Sequence, residues 1–247
     1  MSRQSQILEI IQSRGFQNVR DLANEIQVDE STVRRHLYKL DALNLVIRTH
    51  GGASPVQSSE TPSLIKQSIH SEEKKAIGRE MASHIRDGQV LLLDSGSTTL
   101  EVAKSLKNSS LTVVTNDLRI GMEVAKNPSY NLVLIGGEVL PNLHTTWGPT
   151  AVQQVEKLSV EVAVFGADAV NSKGIFNNTG YELETKRAML EISSEAFFVA
   201  DSSKFSRKAL FKVFSIEKFK SGISDSSLDL DAASKFTVPI SRVDFQK

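Results

Sequence analysis

Several features are missing from this sequence, and each absence excludes a class of protein. It contains no cysteine, which excludes disulfide bonds, thiolate chemistry and cysteine-based zinc sites. No apolar run approaches the roughly 20 residues that a membrane-spanning helix needs. The N-terminus also lacks the basic and then apolar segments of a secretory signal. We therefore expect a cytoplasmic protein that has no membrane partner, no metal and no cofactor.

A net charge of one sign is also missing, since 29 Lys and Arg residues balance 29 Asp and Glu residues. A general electrostatic attraction to nucleic acid is therefore excluded. Any affinity for DNA must come from a focused patch of charge, and dimerisation would double that patch. The hydrophobic content of 40% is typical of a globular protein and argues against wholesale disorder.

The first 53 residues show the spacing of a helix-turn-helix. Three apolar faces recur at helical spacing, on Ile7, Leu8 and Ile11, on Leu22, Ala23 and Ile26, and on Val33, Leu37 and Leu40. Two short helices joined by a tight turn bury little alone, so we expect them to pack against the first helix. This packing leaves the outer side of the helix over residues 31–40 exposed.

That outer side is rich in groups that bind DNA. It carries Ser31, Thr32, Arg34, Arg35, His36 and Lys39. Hydroxyl and ammonium groups hold phosphates, and arginine can read guanine edges with two parallel hydrogen bonds. Between Ser31 and Leu40 there are three fixed positive charges and no carboxylate. The pattern favours a helix that enters the major groove of double-stranded DNA; a solvated helix face of ordinary charge is the alternative.

A β-prone run from Leu45 to Ala53 follows and ends in two glycines, which is typical of a small wing. Arg48 and His50 in this run are candidates for contact with the DNA backbone or minor groove.

Residues 51–63 are then rich in Gly, Ser and Pro, the one clear break in composition. We place a DNA-binding domain at residues 1–53, a linker at 54–70 and a second domain at 71–247.

In the second domain, short apolar runs alternate with helical patterns. The runs are Val90–Asp94, Leu111–Thr115, Leu132–Gly136, Val160–Gly166 and Ala196–Ala200. The helical patterns include Glu72–Ile85, Thr99–Leu106, Leu118–Ala125 and Glu182–Ile192. This alternation predicts an α/β fold with a mostly parallel sheet covered on both faces. Ligands of such sheets bind outside the carboxyl ends of the strands.

The residues at those strand ends are small and polar. Asp94, Ser95, Gly96, Ser97, Thr98 and Thr99 follow the first run, and the later runs are followed by Thr115 and Asn116, by Gly136 and Gly137, by Asp168, and by Lys204. The loop over residues 95–99 offers backbone N–H groups, hydroxyls and a helix N-terminus, which suits a phosphate. It is neither a Walker loop nor a dinucleotide fingerprint. Ordinary N-capping by Ser97 or Thr98 is the alternative.

Other polar groups fit the rest of a phosphorylated ligand. Asp94, Asp168 and Asn116 can bond sugar hydroxyls, and Lys186 and Lys204 can neutralise a phosphate or carboxylate. For each of these residues a surface charge or turn former is the alternative. The single tryptophan, Trp147, is interpreted as a core or dimer contact, with stacking on a sugar as the alternative.

The ordered motifs resemble the DeoR family of bacterial transcriptional regulators over essentially the whole chain. The resemblance rests on Arg3, Ile7, Thr32–Leu37 and His50–Ala53, and on Leu93–Thr99, Val114–Asn116, Ile135–Glu138, Phe165–Asp168, Lys186–Met189 and Asp201–Phe205. It implies a winged helix-turn-helix joined to an oligomerising sensor domain that resembles ribose-5-phosphate isomerase in fold. It also implies a homo-oligomeric repressor of sugar uptake or catabolism that a phosphorylated sugar releases from its DNA operator. The chain departs from the family at His36, where Asp is usual, and at Ile223–Asp225, where Thr-Asp is frequent.

Two other functions remain open at this point. The first is a phosphosugar isomerase or deaminase with an attached regulatory domain, in which Asp94, Asp168 or Glu184 would act as the base and Lys186 would assist. No spacing forces two carboxylates together, so we expect no catalytic residues and no enzyme. The second is an oligomerisation module without a ligand, and the polar strand ends argue against it because an assembly surface would be apolar and aromatic.

Overall fold

The computed structural model describes residues 3–43, 45–55, 63–140 and 143–245. The chain forms two compact units, Met1–Ser71 and Glu72–Lys247. Residues 56–62 of the expected linker lie outside the described residues. Farther along that linker, Ser63–Ser68 forms a short helix, α4, and Ile69 is buried in the core of the first unit.

The first unit is a three-helix core with a small antiparallel sheet. Its other elements are α1 (Arg3–Arg14), β1 (Gln17–Asn18), α2 (Val19–Glu25), α3 (Glu30–Ala42), β2 (Val46–Thr49) and β3 (Gly52–Pro55), and the strand order is β1-β3-β2. The predicted apolar faces meet in one cluster, in which Ile7, Leu22 and Leu40 are completely buried. The predicted helix-turn-helix and wing are therefore confirmed.

Local sequence sets the start of both helices of the motif. Asn18 precedes α2, and its side-chain oxygen accepts a hydrogen bond from the backbone N–H of Asp21 at 2.8 Å. Asp29 precedes α3 and accepts from the backbone N–H of Thr32, also at 2.8 Å. Each cap satisfies one of the N–H groups that a helix leaves unpaired at its first turn.

The second unit is built on a parallel sheet whose described strands number seven. They are β4 (Val90–Leu93), β5 (Leu111–Thr115), β6 (Tyr130–Leu134), β9 (Val160–Phe165), β12 (Ser193–Val199), β14 (Ser221–Asp225) and β15 (Ile240–Val243). The helices of this unit are α5 (Ser71–Ser83), α6 (Ser97–Ser105), α7 (Leu118–Val124), α8 (Pro149–Val155), α9 (Leu183–Glu191) and α10 (Leu230–Ser234). Separate apolar clusters lie on the two faces of the sheet, because residues such as Leu92 and Leu91 point to opposite sides. The predicted parallel α/β fold is confirmed.

The order of the strands locates a switch point. The sheet runs β15-β14-β12-β9-β4-β5-β6, and every neighbouring pair is parallel. From β4 the chain moves outward through β5 and β6, and it then returns to place β9 on the other side of β4. In parallel α/β sheets the ligand site is expected where the strand order reverses, which here is between the carboxyl ends of β4 and β9.

Smaller elements surround the main sheet. A hairpin consists of β7 (Glu138–Leu140) and β8 (Thr145–Trp147), and a second antiparallel sheet joins β10 (Ala169–Asn171), β11 (Gly174–Asn177) and β13 (Phe211–Phe214). The sequence did not predict these five strands, nor β14 and β15. The hairpin lies against the carboxyl end of β5, where the N–H of Thr146 donates to the carbonyl of Asn116 at 2.9 Å. It therefore borders the edge of the sheet at which a ligand is expected.

Candidate functional sites

Helix α3 presents an exposed surface with a positive centre. Val33, Leu37 and Leu40 are buried, while Ser31, Arg35 and Tyr38 are exposed on the opposite side. Lys39 and Arg34 flank this surface and are also exposed. Arg34 forms an ion pair with Glu30 at 2.6 Å, whereas Arg35 forms none within the described part of the chain. Lys39 also forms no ion pair among the described residues, so Arg35 and Lys39 are both available to a partner.

The hydroxyls at the start of α3 are engaged in the helix cap. Thr32 Oγ1 donates to Asp29 Oδ2 at 2.9 Å, and Ser31 Oγ donates to Asp29 Oδ1. These bonds hold the pKa of the Asp29 carboxyl well below its usual range. Ser31 and Thr32 thus order the first turn of α3 in the free protein, and a role in DNA contact requires their remaining lone pairs or a change of partner.

His36 lies at the edge of the exposed surface rather than at its centre. The side chain is half-buried, and its Nδ1 is buried without a hydrogen-bond partner among the described residues. Burial, and then the positive charges of Arg35 and Lys39, lower the pKa of the imidazole. His36 therefore adds no fixed charge to this surface at neutral pH.

The wing adds one contact that the sequence did not predict. The guanidinium carbon of Arg48 lies 5.7 Å from the centroid of the Tyr38 ring, which is 65% exposed. The backbone N–H of Arg48 also donates to Asp41 Oδ1 at 3.2 Å. His50 is exposed in the turn between β2 and β3, beside Gly51 with a φ of 88°. Tyr38 was missed because an aromatic residue on a helix is usually assigned to the core.

In the second unit, a buried ion pair occupies the switch point of the sheet. Asp94 follows β4 and is fully buried, and Lys186 Nζ on α9 lies 2.6 Å from its Oδ1 and 2.5 Å from its Oδ2. The backbone N–H of Gly166, directly after β9, donates to Asp94 Oδ2 at 3.1 Å. Asp94 therefore ties together the ends of β4 and β9 and the helix α9.

The charges of this pair stabilise each other against burial. Burial raises the pKa of the Asp94 carboxyl to about 6, although the Lys186 ammonium opposes the rise. Burial alone would lower the pKa of Lys186, but Asp94 and Glu182 outweigh it, so the pKa of the ammonium is raised. The pair is therefore ionised at neutral pH.

The loop that follows Asp94 is held from two sides. Ser95 Oγ donates to Glu182 Oε1 at 2.8 Å, and the backbone N–H of Gly96 donates to Asp117 Oδ2 at 3.2 Å. Gly96 has a φ of 138°, a conformation that side chains rarely adopt. Helix α6 begins at Ser97 with no side-chain cap. Capping by Ser97 or Thr98, the alternative interpretation of this loop, is therefore not what the structure shows.

The other predicted residues lie in different surroundings. Thr115 Oγ1 donates to the carbonyl of Leu93 at 2.7 Å, and Asn116 Nδ2 donates to that of Thr146 at 2.9 Å, so both frame the ends of β4 and β5. The N–H of Gly136 donates to Gln154 Oε1. The remaining positions are Thr98 and Thr99, buried in the first turn of α6, Gly137, packed against the Trp147 carbonyl, Asp168, which accepts from the N–H of Asn178, and Lys204, in a 3-10 turn after β12.

Four residues near this loop are not among the site residues predicted from the sequence. Asp117 binds Gly96 and forms an ion pair with Arg119, Glu182 binds Ser95, and Thr145 on β8 lies opposite Asp117. Asp117 lies two residues after β5, and this position at a strand end was a usable signal. Thr145 had none, because the sequence around it did not predict a strand.

Comparison with known proteins matches each of the two units to a family model. A family model described as a DeoR-like helix-turn-helix domain matches residues 3–59, and one described as a DeoR C terminal sensor domain matches residues 69–226. Together they define a transcriptional regulator with a sensor domain. The chain belongs to the DeoR family.

Several curated relatives extend over nearly the whole chain. The glycerol-3-phosphate regulon repressor of Escherichia coli is 31% identical over 227 residues, which cover 91% of this chain and 90% of the relative. The transcriptional repressor AccR of Agrobacterium fabrum is 31% identical over 229 residues, covering 91% and 89%. An HTH-type transcriptional regulator of Haloferax volcanii, GlpR, is 30% identical over 234 residues, covering 93% and 91%. All three relatives are transcriptional repressors or regulators.

Among solved structures, ribose 5-phosphate isomerase A of Methanocaldococcus jannaschii is similar with a TM-score of 0.41 and 18% identity. The alignment covers 56% of this chain and 56% of the isomerase. A translation factor subunit, eIF2B delta of Chaetomium thermophilum, is similar at a TM-score of 0.43 and 16% identity, over 64% of this chain and 57% of that one. Similarity at this level bears on neither activity nor ligand. In the described part of the chain, no helix has the length and hydropathy to cross a membrane.

Proposed function

We propose that this protein represses an operon for the uptake or breakdown of a carbohydrate, and that a phosphorylated sugar releases it from its operator. Membership of the DeoR family carries the first half of the proposal, since the helix-turn-helix and the sensor domain are both present. The relatives include a repressor of a glycerol-3-phosphate regulon, so a phosphorylated three-carbon ligand belongs among the candidates.

The DNA-binding surface would be the outer side of α3 together with the wing. Arg35 lies at the centre of that side, and Lys39 and Arg48 extend the positive charge. The side chains of Ser31, Thr32, Arg34, His36 and His50 would contribute at its edges. A homo-dimer would place two such helices on two half-sites of an operator, one turn of the duplex apart.

The effector site would be the loop over residues 95–99 and the strand ends around it. Backbone N–H groups at the start of α6 suit a phosphate. Lys186 Nζ bonds both carboxylate oxygens of Asp94, so we assign Lys186 to the framework of the site. The loop would then make the direct contacts with the phosphate.

The hydrogen bonds between Lys186 and Asp94 also argue against a catalytic role for Asp94. A base needs a free carboxylate oxygen within reach of the substrate. Both oxygens of Asp94 are held by Lys186, and Gly166 also donates to Oδ2. We therefore propose that the sensor domain binds its sugar without turning it over.

The test measures, by fluorescence anisotropy, how tightly the protein binds labelled DNA from upstream of its own gene. Arg35→Ala is expected to weaken operator binding by about 1–3 kcal/mol, roughly 5- to 150-fold, with a smaller loss on random DNA. Arg79→Ala removes the same charge from the exposed surface of α5 in the second unit and is the matched control. Ribose 5-phosphate, fructose 6-phosphate and glycerol 3-phosphate are then added to the complex, and one of them should release the DNA. The proposal is wrong if the protein prefers no DNA sequence, or if Arg35→Ala binds like Arg79→Ala.

A further inference from the structure

Thr145 on β8 carries a buried hydroxyl without a partner. The residue is 1% exposed, and its Oγ1 forms no hydrogen bond with any residue that the structure describes. Burying a hydroxyl without a hydrogen bond costs free energy, so such a group calls for an explanation. A ligand that supplies the missing bond is one explanation.

The pairing of Thr145 places its side chain on the same face as that of Asp117, which contacts the loop at the start of α6. Thr145 forms an antiparallel bridge with Asp117, and side chains directly opposite each other lie on the same face. The carboxylate of Asp117 accepts the N–H of Gly96, the residue before α6. Asp117 would repel a phosphate on its own, but Arg119 neutralises it with two hydrogen bonds.

Two aromatic rings continue the same surface. Trp147 lies two residues beyond Thr145 on β8 and therefore projects to the same face. Its ring packs edge-on against Tyr181, with centroids 5.4 Å apart. Tyr181 immediately precedes Glu182, which accepts the hydroxyl of Ser95. Contacts and chain neighbours thus link Gly96, Asp117, Thr145, Trp147, Tyr181, Glu182 and Ser95, and the two ends of this series lie at the start of α6.

We propose that Thr145, Trp147 and Tyr181 form the carbohydrate subsite of the effector site, and that the ligand is a cyclic phosphosugar. This inference rests on the proposed function, which places the phosphate on the loop over residues 95–99. The Thr145 hydroxyl bonds a hydroxyl of the sugar, and the aromatic pair covers a C–H face of the ring. A sugar ring presents such an apolar face, whereas a three-carbon phosphate presents almost none.

The single tryptophan makes the subsite directly measurable. The fluorescence of Trp147 in the full-length protein is titrated with ribose 5-phosphate, fructose 6-phosphate, glucose 6-phosphate, glycerol 3-phosphate and inorganic phosphate. At least one cyclic phosphosugar should give a saturable change, at a concentration about 10-fold or more below that needed for glycerol 3-phosphate or inorganic phosphate. Equal or tighter binding of glycerol 3-phosphate would overturn the assignment of a ring.

Two variants separate the subsite from the phosphate loop. Thr145→Val keeps the shape and removes the hydroxyl, and should weaken binding of the cyclic sugar about 10-fold while binding of inorganic phosphate stays unchanged. Thr112→Val on β5 is the matched control. Trp147→Leu has no tryptophan signal, so its ligand binding is measured by thermal unfolding. The sugar should raise the Tm of this variant less than it raises that of the wild type.

The outcomes distinguish this inference from the proposed function. If a phosphosugar releases the operator from Thr145→Val and Trp147→Leu as readily as from the wild type, the subsite is wrong and the repressor function stands. If no phosphosugar binds the wild type or releases its DNA, both the subsite and the proposed effector class are wrong.

Discussion

At the scale of single residues, the Asp94–Lys186 pair shows how a buried charge can be kept. Removing either charge from water is costly, and the attraction between the two offsets that cost only when the geometry is good. Here the ammonium is within 2.6 Å of both carboxylate oxygens, and the Gly166 N–H provides a third bond. Because Asp94, Gly166 and Lys186 belong to three different segments, the pair also fixes the switch point of the sheet.

Lys186→Met should therefore destabilise the second unit in a pH-dependent way. The variant leaves Asp94 buried without its cation, which costs about 3–5 kcal/mol when the carboxylate is charged. The pKa of Asp94 is already raised to about 6 by burial, and loss of Lys186 raises it further. The folded variant then binds a proton more readily than the unfolded chain, so its stability falls as pH rises from about 4 through 6 and beyond.

Urea unfolding at pH 5 and at pH 8 measures this difference, and the deficit relative to wild type should be larger at pH 8. The double variant Asp94→Asn/Lys186→Met removes both charges and should recover most of the lost stability. A deficit of the same size at both pH values would show that lost packing rather than an unpaired charge is responsible.

At the scale of elements, the position of α6 depends on a close crossing with α5. A Cβ placed on Gly78 would lie 2.5 Å from the carbonyl carbon of Glu101 and 2.6 Å from its oxygen. These are backbone atoms, so they cannot turn away as the end of a side chain can. Gly78 therefore sets how closely α5 approaches the helix whose first turn forms the candidate phosphate loop.

Gly78→Ala should push the two helices apart and weaken effector binding as well as stability. Although alanine is the better helix former, we expect the clash to outweigh this gain and to cost about 1–3 kcal/mol, as overpacking does. Urea unfolding gives the stability, and Trp147 fluorescence gives the affinity for the phosphosugar. Ser83→Ala, at an exposed position of the same helix, is the control. An unchanged or raised stability would mean that the crossing tolerates a methyl group.

The elements also show why part of the fold could be predicted from sequence and part could not. Strands such as β4 and β9 are runs of large apolar residues because helices cover both faces, and that signal is local. Strand β14 contains only one large apolar residue, Ile223, because the Phe198 ring occupies the space beside Gly222. A buried strand of small residues leaves no apolar run to recognise.

The candidate sites divide in the same way. The outer face of α3 follows from helical spacing alone, and the anion loop follows from its place after a strand. The contacts around the candidate effector loop join distant segments: 87 residues separate Ser95 from Glu182, and 92 separate Asp94 from Lys186. Such pairs depend on the strand order, which the periodicity of one sequence does not reveal.

At the scale of the whole molecule, the balanced charge makes regulation easier. A strongly basic chain would hold any DNA through general attraction, and a ligand could then shift its binding only slightly. With 29 positive and 29 negative side chains, the proposed affinity for DNA would depend on the local surface of α3 and the wing. In the proposed homo-dimer, a modest change in how the two surfaces meet their half-sites would then be enough to release the operator.

Thermodynamic linkage turns this into a quantitative prediction. If the phosphosugar weakens operator binding by a certain factor, the operator must weaken phosphosugar binding by the same factor. The coupling in such systems is typically about 1–3 kcal/mol, or roughly 5- to 150-fold.

Anisotropy of labelled operator, with and without saturating sugar, gives one of the two factors. Trp147 fluorescence titrations of the sugar, with saturating operator or without DNA, give the other. Both are measured at one salt concentration, because phosphate contacts make DNA affinity depend on salt. Equal factors would show that the sugar and the operator are coupled through binding to this same protein. Operator release without any loss of sugar affinity would require the sugar to act elsewhere than on this protein.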